Sequence, residues 1–443
     1  MTVMTDPPKE SFRLSMLIYD TRYRSITIQV VALLGFAAFF GWLIWNTNNN
    51  LAALGKEISF RFLWERAGYD INQRLLDYSS QSSHLRAAVI GVLNTLVIAV
   101  LGCITATVIG VLVGVLRLSN NWVISRLMAV YVETFRNVPV LLWIILAMAI
   151  LIEIPPQPRD FRGENATASM KLNDTVAITN RGVYIPDVRF STGLGDLPIL
   201  AASDDAACSA YRDGAEGLPD LNPGCGVFQI SLDLMAIIAV LMISLYISRG
   251  IRNKANATQE ATGIRPRVWH IRLAVVAIPM VALLWLLGLY FSYPELKGFN
   301  FKNGLHLRNS LIALWLALSL YTAAFIAEIV RAGILAVSKG QSEAASALGL
   351  SSRRTMSLVI LPQALRVIIP PMISNYLNLT KNSSLAIAVG YFDITGTLMG
   401  VTLNQTGREL ETVLLGMLIY LAISLSISMV MNWYNESVKI KER

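Results

Sequence analysis

The sequence predicts an all-α membrane protein with about eight transmembrane helices. Of its 443 residues, 54% are hydrophobic and only 15% are charged. A soluble domain averages about 25% charged residues, so this chain has too little polar surface to cover its apolar residues in water. A helix that crosses a membrane needs roughly 20 mostly apolar residues. Eight stretches meet this need: residues 26–45, 87–116, 127–152, 229–248, 271–291, 309–330, 362–388 and 411–433.

The first and third stretches need individual justification. Residues 1–25 are too long and polar for the start of a signal peptide, and no small-residue cleavage site follows the first apolar run, so this run is interpreted as a helix. The third stretch is interrupted by Arg136 and Pro139. Because proline removes a helical donor, Arg136 is expected to bond the freed carbonyl oxygens or an anionic group, which is a structural role.

Basic loops predict the orientation of the spans. Residues 249–272 contain six basic residues and one acidic residue, and cytoplasmic loops are enriched in Lys and Arg. The basic residues are Arg249, Arg252, Lys254, Arg265, Arg267 and Arg272, and the acid is Glu260. Arg117 and Arg126 indicate a second cytoplasmic turn. With basic termini and an even number of spans, both ends of the chain are predicted to be cytoplasmic. The net charge of +8 is therefore attributed to these loops and not to nucleic-acid binding.

The polar stretch 153–228 is predicted to lie on the opposite, outer side of the membrane. Eleven acidic residues outnumber six basic residues there, and Cys208 and Cys225 are the only cysteines outside a span. An oxidising compartment would allow these two residues to form a disulfide, and two free thiols are the alternative. Cys103 lies within a span and is interpreted as a small packing residue.

A charged element with the sequence EAASALGLSSRRTMSLVILP lies between the sixth and seventh spans. The charge of Glu343 suits the first turn of a helix, and Gly349 suits the end of that helix because it has no Cβ. Ser351 or the serine after it can cap a second helix, and Pro362 is expected to end the element. The pattern predicts a helix–turn–helix at the cytoplasmic membrane face. Periodicity alone would indicate only an amphipathic connector.

The spacing of this element resembles the EAA loop of ABC importer permeases. The matching positions are Glu343, Ala344, Ala345, Gly349, Val359, Leu361 and Pro362, with Val359 where the family usually has Ile. Other phrases resemble the polar amino acid branch of the same family. They are GVLNTL from Gly91, YVETFRNVPVLL from Tyr131, YTAAFIAEIVRAGILAVSKGQ from Tyr321, LPQALRVIIPP from Leu361 and NYLNLTKNSSL from Asn375. Asn137 and Val138 depart from the Gly and Thr that are usual in this family.

The resemblance implies a division of the chain into a permease core and two additions. Residues 85–152 and 309–443, with the EAA loop at 343–362, would form the five-helix core of a type I ABC importer permease. Residues 1–84 would add a cytoplasmic tail, one helix and a periplasmic loop. Residues 153–308, called the insertion below, would add the periplasmic loop 153–228, two helices and the basic loop 249–272. This layout is similar to the larger permease subunit of general L-amino acid importers.

The resemblance also implies a function and partners. The chain would be a permease subunit in the bacterial inner membrane that moves L-amino acids by alternating access. Its EAA residues would dock on a dimer of ABC ATPase subunits, and a periplasmic amino-acid-binding protein would deliver substrate. A second permease subunit would complete the pathway, and the extra spans favour a different chain in that role. Membrane lipid would surround the subunit.

No chemistry of its own is predicted for the chain. The phosphate-binding pattern G-x-x-x-x-G-K-[ST] does not occur, since Gly55 and Lys56 are followed by Glu57. ATP would therefore be hydrolysed by a partner. The three cysteines and three histidines are too scattered for a structural zinc site, and no metal or cofactor is expected.

Polar residues near the outer end of the seventh span are candidates for the substrate pathway. Lys381 is accompanied by Asn375, Asn378, Asn382, Ser383 and Ser384. The three asparagines recur at i, i+3 and i+7 on one helical face, where their amides suit the carboxylate and ammonium of an amino acid. Two alternatives remain open. The polar groups could bond backbone freed by Pro370 and Pro371, and Lys381 could extend to the lipid headgroups. Nearer the inner side, Glu328 and Arg331 are predicted to form an i, i+3 ion pair.

Two other classes of protein compete with the importer subunit. A stand-alone secondary carrier or channel often shows inverted repeats with paired broken helices, and no such symmetry is visible in this sequence. A membrane enzyme is less favoured because no paired carboxylates, Cys–His or Ser–His constellation lies at one membrane depth. Copurification of an ATPase subunit from mild detergent would distinguish an importer subunit from a carrier.

Overall fold

The computed structural model describes residues 18, 20–53, 55, 58–76, 78–162, 166–200 and 228–438. Cys208 and Cys225 lie outside the described residues, so the disulfide stays a prediction. The chain divides into two compact units, Met1–Phe60 and Arg61–Arg443. The first unit contains helix α1 (Thr21–Ala53), which includes the first predicted span.

The second unit is mostly helical. Its helices are α2 (His84–Leu116), α3 (Trp122–Asn137), α4 (Val140–Glu153), α5 (Leu232–Thr262), α6 (Trp269–Leu286), α7 (Asn309–Leu335), α8 (Lys339–Ala347), α9 (Ser352–Thr355), α10 (Leu361–Asn382), α11 (Leu403–Thr406) and α12 (Glu409–Val438). Across the described residues of both units, seven helices are long and apolar enough to cross a membrane, or eight if the bent pair α3 and α4 is one span. The predicted helical membrane fold is confirmed.

The third predicted span is not straight. Helices α3 and α4 meet at a bend of 106°, and Pro139 stands immediately before α4. Val138, the residue before this proline, has an extended backbone with φ −105° and ψ 133°. Because the proline ring disfavours the helical conformation of the preceding residue, the chain turns at this point instead of continuing as one helix.

Close contacts between α2, α7 and α10 form the centre of the helical core. A Cβ at Gly110 would lie 2.7 Å from the Ile326 side chain, and a Cβ at Gly114 would lie 2.7 Å from the Ala327 carbonyl oxygen. Small residues let helix backbones approach in this way, which is how helices pack when lipid removes the hydrophobic drive between them. Among the helices long enough to cross a membrane, α7 is the most buried: 72% of the 18-residue apolar stretch that would cross the membrane is buried inside the protein.

Short antiparallel strands occupy parts of the insertion, and two of them include residues that were predicted to be helical, 229–231 at the start of the fourth span and 289–291 at the end of the fifth. Gly288, with φ +64°, lies between the end of α6 and the strand that follows it. They are β1 (Ala177–Thr179), β2 (Gly182–Ile185), β3 (Asp187–Phe190), β4 (Asp196–Leu200), β5 (Phe228–Ser231), β6 (Leu289–Ser292), β7 (Glu295–Lys297), β8 (Asn300–Lys302) and β9 (Leu305–Arg308). Strands β1, β2 and β9 form one sheet, called the insertion sheet, and the others pair as β3–β6, β4–β5 and β7–β8. Strands of three to five residues are too short to show a clear alternation of apolar and polar residues.

The insertion sheet is bonded directly to the start of α7. Strand β9 ends at Arg308, whose backbone N–H donates to Gln73 Oε1 at 3.1 Å. The next residue, Asn309, donates from Nδ2 to the carbonyl oxygens of Leu151 at 3.1 Å and Asn180 at 2.6 Å. The sheet and α7 are therefore joined by both the chain and side-chain hydrogen bonds.

Candidate coupling and translocation site

The EAA element forms a helix–turn–helix at the end of α7. Helix α8 ends at Ala347, and Gly349 follows with φ +73°, a left-handed conformation that glycine adopts without strain. The Leu350 N–H donates to the Ala345 carbonyl oxygen at 3.1 Å, which closes the helix end in a Schellman motif. Ser351 then stands at the N-cap of α9 without a side-chain capping bond.

The surface of α8 combines an acid with small and apolar side chains. Glu343, Ala344 and Leu348 are exposed, and Leu348 is 82% exposed. Ala345 is only 3% exposed and faces the protein. Gln363 Nε2 on α10 donates to Gln341 Oε1 on α8 at 3.3 Å. Helix α8 therefore exposes acidic and apolar side chains on its surface. The hydrogen bond between Gln363 and Gln341 connects it to α10.

Pro362 does not end the element as expected. One helical path runs from Ser352 to Val389, and it contains a π-helical turn at Met356–Ile360 immediately before α10. The Leu361 N–H bonds to the Met356 carbonyl oxygen, five residues earlier. Pro362 follows in the first turn of α10, where a missing backbone donor is tolerated. Leu361 and Pro362 therefore connect the EAA element to α10 without a break.

A charged cluster lies where α2, α3 and α7 meet, centred on Glu328. Its carboxylate contacts the Arg117 guanidinium and lies 3.2 Å from Arg331 Nη1 and 4.0 Å from Arg136 Nη1. Glu133 on α3 lies 3.8 Å from Arg117 Nη2. The predicted Glu328–Arg331 pair is present, and two more arginines share the same acid.

Arg136 faces an anionic group, which is one of the two kinds of partner expected for it. Its guanidinium carbon lies 5.3 Å from the centre of the Phe325 ring and its charge faces Glu328. An arginine over an aromatic face gains a cation–π attraction. The contacts therefore hold α3 against α7 close to the bend at Pro139.

The predicted pathway residues have different surroundings. Asn378 and Lys381 are exposed, and the Lys381 ammonium makes no hydrogen bond or ion pair with another described residue. Asn375, Asn382 and Ser384 are half-buried. Asn375 Nδ2 donates to the Pro371 carbonyl oxygen at 3.0 Å, so this amide bonds the backbone beside the two prolines but not a carbonyl that either proline leaves free. Ser383 is fully buried, so the structure does not bring all six side chains onto one open surface.

The sequence analysis missed a buried acid beside this group. Asp393 is fully buried, its Oδ1 accepts a 2.9 Å bond from the Gly396 N–H, and its Oδ2 accepts a 2.7 Å bond from the Tyr420 hydroxyl. The Tyr420 hydroxyl also lies 3.3 Å from Ser383 Oγ. The sequence does contain one indication of this buried acid, because Asp393 is the only charged residue between Lys381 and Arg408.

The segment ahead of α2 covers the loop that contains Asp393. Asn94 Nδ2 donates to the carbonyl oxygens of Gln73 and Phe392, both at 2.8 Å. The Tyr69 ring lies 6.2 Å from the Phe392 ring, and burial raises the pKa of the Tyr69 hydroxyl to about 12. The Tyr69 hydroxyl also lies 3.4 Å from the Thr402 hydroxyl, within reach of a hydrogen bond.

An apolar cavity of about 540 Å³ lies between α2, α7, α10 and α12. Its lining includes Val115, Ile334, Leu361, Met372 and Trp433. Leu361 is also part of the EAA pattern, so the cavity adjoins the junction between that element and α10.

Comparisons with known proteins identify the family of the chain. The family model described as "Binding-protein-dependent transport system inner membrane component" matches residues 271–440. The chain is 54% identical, over the full length of both, to the glutamate/glutamine/aspartate/asparagine transport system permease protein BztB of Rhodobacter capsulatus. It is 40% identical to the general L-amino acid transport system permease protein AapQ of Rhizobium johnstonii, over 98% of this chain and 96% of AapQ. The glutamate/aspartate import permease protein GltK of Escherichia coli is 31% identical over 40% of this chain and 79% of GltK.

Proposed function

The chain belongs to the amino acid ABC transporter permeases, and from this premise we propose that it is the membrane-spanning subunit of an ATP-driven importer of polar L-amino acids. The names of its relatives support substrates with a carboxylate or amide side chain: the 54% identical relative is named for glutamate, glutamine, aspartate and asparagine. Exposed Lys381 and Asn378 on α10 offer a cation and an amide to such groups.

The observation that carries the proposal is that α7 is connected at one end to the insertion sheet and at the other end to the EAA element. At one end α7 is bonded to the insertion sheet through Asn309, and at the other it leads into α8 with its exposed Glu343. A dimer of ATPase subunits that binds α8 would move α7 and α10 together, because α8 follows α7 in the chain and is hydrogen-bonded to α10. A loaded binding protein would bias the same equilibrium from the insertion side, which gives two sites coupled through two global states.

The orientation and cellular location belong to the same proposal. The basic stretch 249–272 and the EAA element would face the cytoplasm, and residues 153–228 would face the periplasm of the bacterial inner membrane. Both termini would be cytoplasmic. The ATPases would then reach α8 directly, and the binding protein would meet the insertion.

A second permease subunit would complete the translocation pathway. Asn378 and Lys381 lie on an exposed part of a spanning helix, where charged side chains are costly unless they face protein or water. A partner permease would enclose this polar surface. The added helix and insertion make a different chain more suitable for that position than a second copy.

Reconstitution of the complex tests this function. The chain is coexpressed with its ATPase and partner permease, purified in mild detergent, and placed in vesicles with binding protein and labelled glutamate. We expect uptake only with ATP and binding protein. The Glu343→Lys variant should insert normally but lose the ATPase or lose uptake, whereas Lys339→Gln on the same helix should retain both. ATP-independent uptake by the isolated chain would support a secondary carrier instead.

A further inference from the structure

The α5–α6 hairpin is a part of the fold that the proposed transport function leaves unused. In α5, only 11% of the apolar stretch that would cross the membrane is buried inside the protein, and in α6 none of it is. The two helices pack on each other, and Arg272 Nε on α6 donates to Ser248 Oγ on α5 at 3.1 Å. Apolar side chains such as Ile247 and Val281 are exposed along the hairpin. Its surface therefore suits contact with lipid.

The end of the hairpin where α5 leads into α6 carries cations without counter-charges. Its exposed basic residues are Arg249, Arg252, Lys254, Arg265 and Arg267. None of them forms an ion pair with another described residue, and Glu260 is the only acid between residues 249 and 272. Several other charged groups of the chain are paired, as in the Glu328 cluster and the 3.0 Å contact between Arg189 and Asp187. These five cations are therefore available to an external anion.

Aromatic residues separate these cations from the apolar part of the hairpin. Tyr246 is 79% exposed one turn before Arg249, and Trp269 is 68% exposed one turn before Arg272. Tyrosine and tryptophan favour the level of the lipid headgroups, where one side of the ring meets hydrocarbon and the other meets water. The order of apolar, aromatic and basic groups matches the acyl chains, glycerol region and phosphate of a phospholipid.

The length of α5 places the cations at the required depth. Its 31 residues give a helix of about 46 Å, which exceeds a hydrocarbon layer of about 30 Å. The apolar residues occupy the first half and Arg249 begins the basic part. Arg249 lies about 26 Å along α5, close to the edge of a hydrocarbon layer of about 30 Å, so the basic residues that follow it reach the phosphate level.

We propose that the basic end of the α5–α6 hairpin binds the headgroups of anionic phospholipids. The exposed apolar helices contact the acyl chains, and the arginines bind the phosphate, which guanidinium groups recognise with paired hydrogen bonds. An acidic surface of a soluble partner would contact only the cations, whereas one anionic lipid contacts the cations, the aromatic rings and the adjacent apolar surface together. Anionic lipid accounts for both features.

The test compares two variants with the same loss of charge. The site variant is Arg249→Gln, Arg252→Gln, Arg265→Gln and Arg267→Gln together. The control variant is Arg159→Gln, Lys171→Gln, Arg189→Gln and Lys297→Gln, which neutralises four exposed residues of the insertion. All eight positions are exposed, so both variants are expected to fold.

Each full-length protein is titrated in detergent with fluorescent phosphatidylglycerol, phosphatidylcholine and inorganic phosphate as a competitor. Each cation near an anionic lipid surface contributes roughly fivefold to binding, which for four cations multiplies to about 600-fold, so the site variant should lose at least about tenfold of its phosphatidylglycerol affinity even if only two of them contribute fully. The control variant should bind phosphatidylglycerol as tightly as the parent protein does. Phosphatidylcholine should bind weakly to the parent and to both variants, and inorganic phosphate should not displace phosphatidylglycerol.

Several outcomes would overturn the proposal. Equal losses in the site and control variants would indicate a response to net charge alone. Full competition by inorganic phosphate would indicate a simple anion site. Unchanged phosphatidylglycerol binding by the site variant, with loss of the copurifying ATPase, would assign the basic surface to a protein partner. Because lipid binding is measured without transport, failure here leaves the importer function untouched.

Discussion

The hydroxyl of Tyr420 on α12 donates a 2.7 Å hydrogen bond to the buried carboxylate of Asp393. This bond ties the loop after α10 to the last spanning helix. A buried carboxylate needs donors because water cannot reach it, and the Gly396 N–H supplies a second one at 2.9 Å. The pair therefore fixes the position of this loop relative to α12 on one side of the core.

Replacing Tyr420 by Phe should destabilise the protein by about 1–3 kcal/mol, because Asp393 would lose one of its donors while remaining buried. The loss is measured as a lower midpoint of thermal unfolding in detergent. Tyr293→Phe is the control, since Tyr293 is 48% exposed and should change little. Equal midpoints for the two variants would mean that the Tyr420 bond contributes nothing.

Gly349 should tolerate Asn and reject Val. A Cβ at this position would have no atom within 4 Å, so the obstacle is the left-handed backbone at φ +73° and not a clash. Asn adopts this conformation far more readily than a β-branched residue. Gly349→Val should reduce ATP-driven uptake sharply while the protein still inserts, and Gly349→Asn should retain most of it. If both variants transport normally, the turn is not needed for coupling.

Glu328→Gln should be much more harmful than Arg331→Gln. The first change leaves Arg117, Arg136 and Arg331 close together without their shared acid, whereas the second removes one of three cations. We expect a loss of about 1–3 kcal/mol for Glu328→Gln, in the range of coupled charged groups. Arg331→Gln should cost less than about 1 kcal/mol, as for a partly exposed pair. Unfolding midpoints in detergent test this order, and a reversed order would contradict it.

Lys381→Ala and Lys381→Met should lower uptake while binding of the ATPase and the binding protein persists. The reason is loss of a cation on the proposed pathway, so glutamate uptake should fall more than glutamine uptake. Lys381→Arg retains the charge and serves as the control. Normal uptake of both amino acids by the Ala and Met variants would favour the alternative in which Lys381 only extends to lipid headgroups.

The insertion sheet should loosen as the pH falls. His306 stacks on Tyr184 with ring centres 4.1 Å apart, donates from Nε2 to the Arg181 carbonyl oxygen at 3.1 Å, and has its pKa lowered by burial, with Arg308 adding to the effect. The unfolded sheet therefore binds the proton more readily than the folded sheet. Stability is full above the unfolded pKa of about 6.5 and declines as the pH falls below it.

Hydrogen exchange of β2 and β9 measures this effect after correction for the intrinsic pH dependence of exchange. Protection should decrease between about pH 7.5 and 5.5 in the parent protein, around the ordinary histidine pKa. His306→Asn should remove the dependence because the side chain no longer titrates. A parent sheet with constant protection over this range would show that His306 does not limit its stability.

Composition and local pattern were enough to predict the membrane class, most span positions and the turn at Gly349. Span length depends on a continuous apolar run, and the turn depends on one residue that permits a left-handed backbone. The Glu328–Arg331 pair was also predictable because the two residues share a helix face. Each of these features is encoded within a few neighbouring residues.

Only the tertiary structure revealed the insertion sheet, the additional partners of Glu328 and the burial of Asp393. Gly182 pairs with Arg308, more than a hundred residues later, and strands this short carry no periodic signal of their own. Arg117 reaches Glu328 because Gly110 and Gly114 let α2 lie close against α7. These contacts depend on which distant segments meet, and packing and hydrogen bonding between those segments are decided only when the whole chain folds.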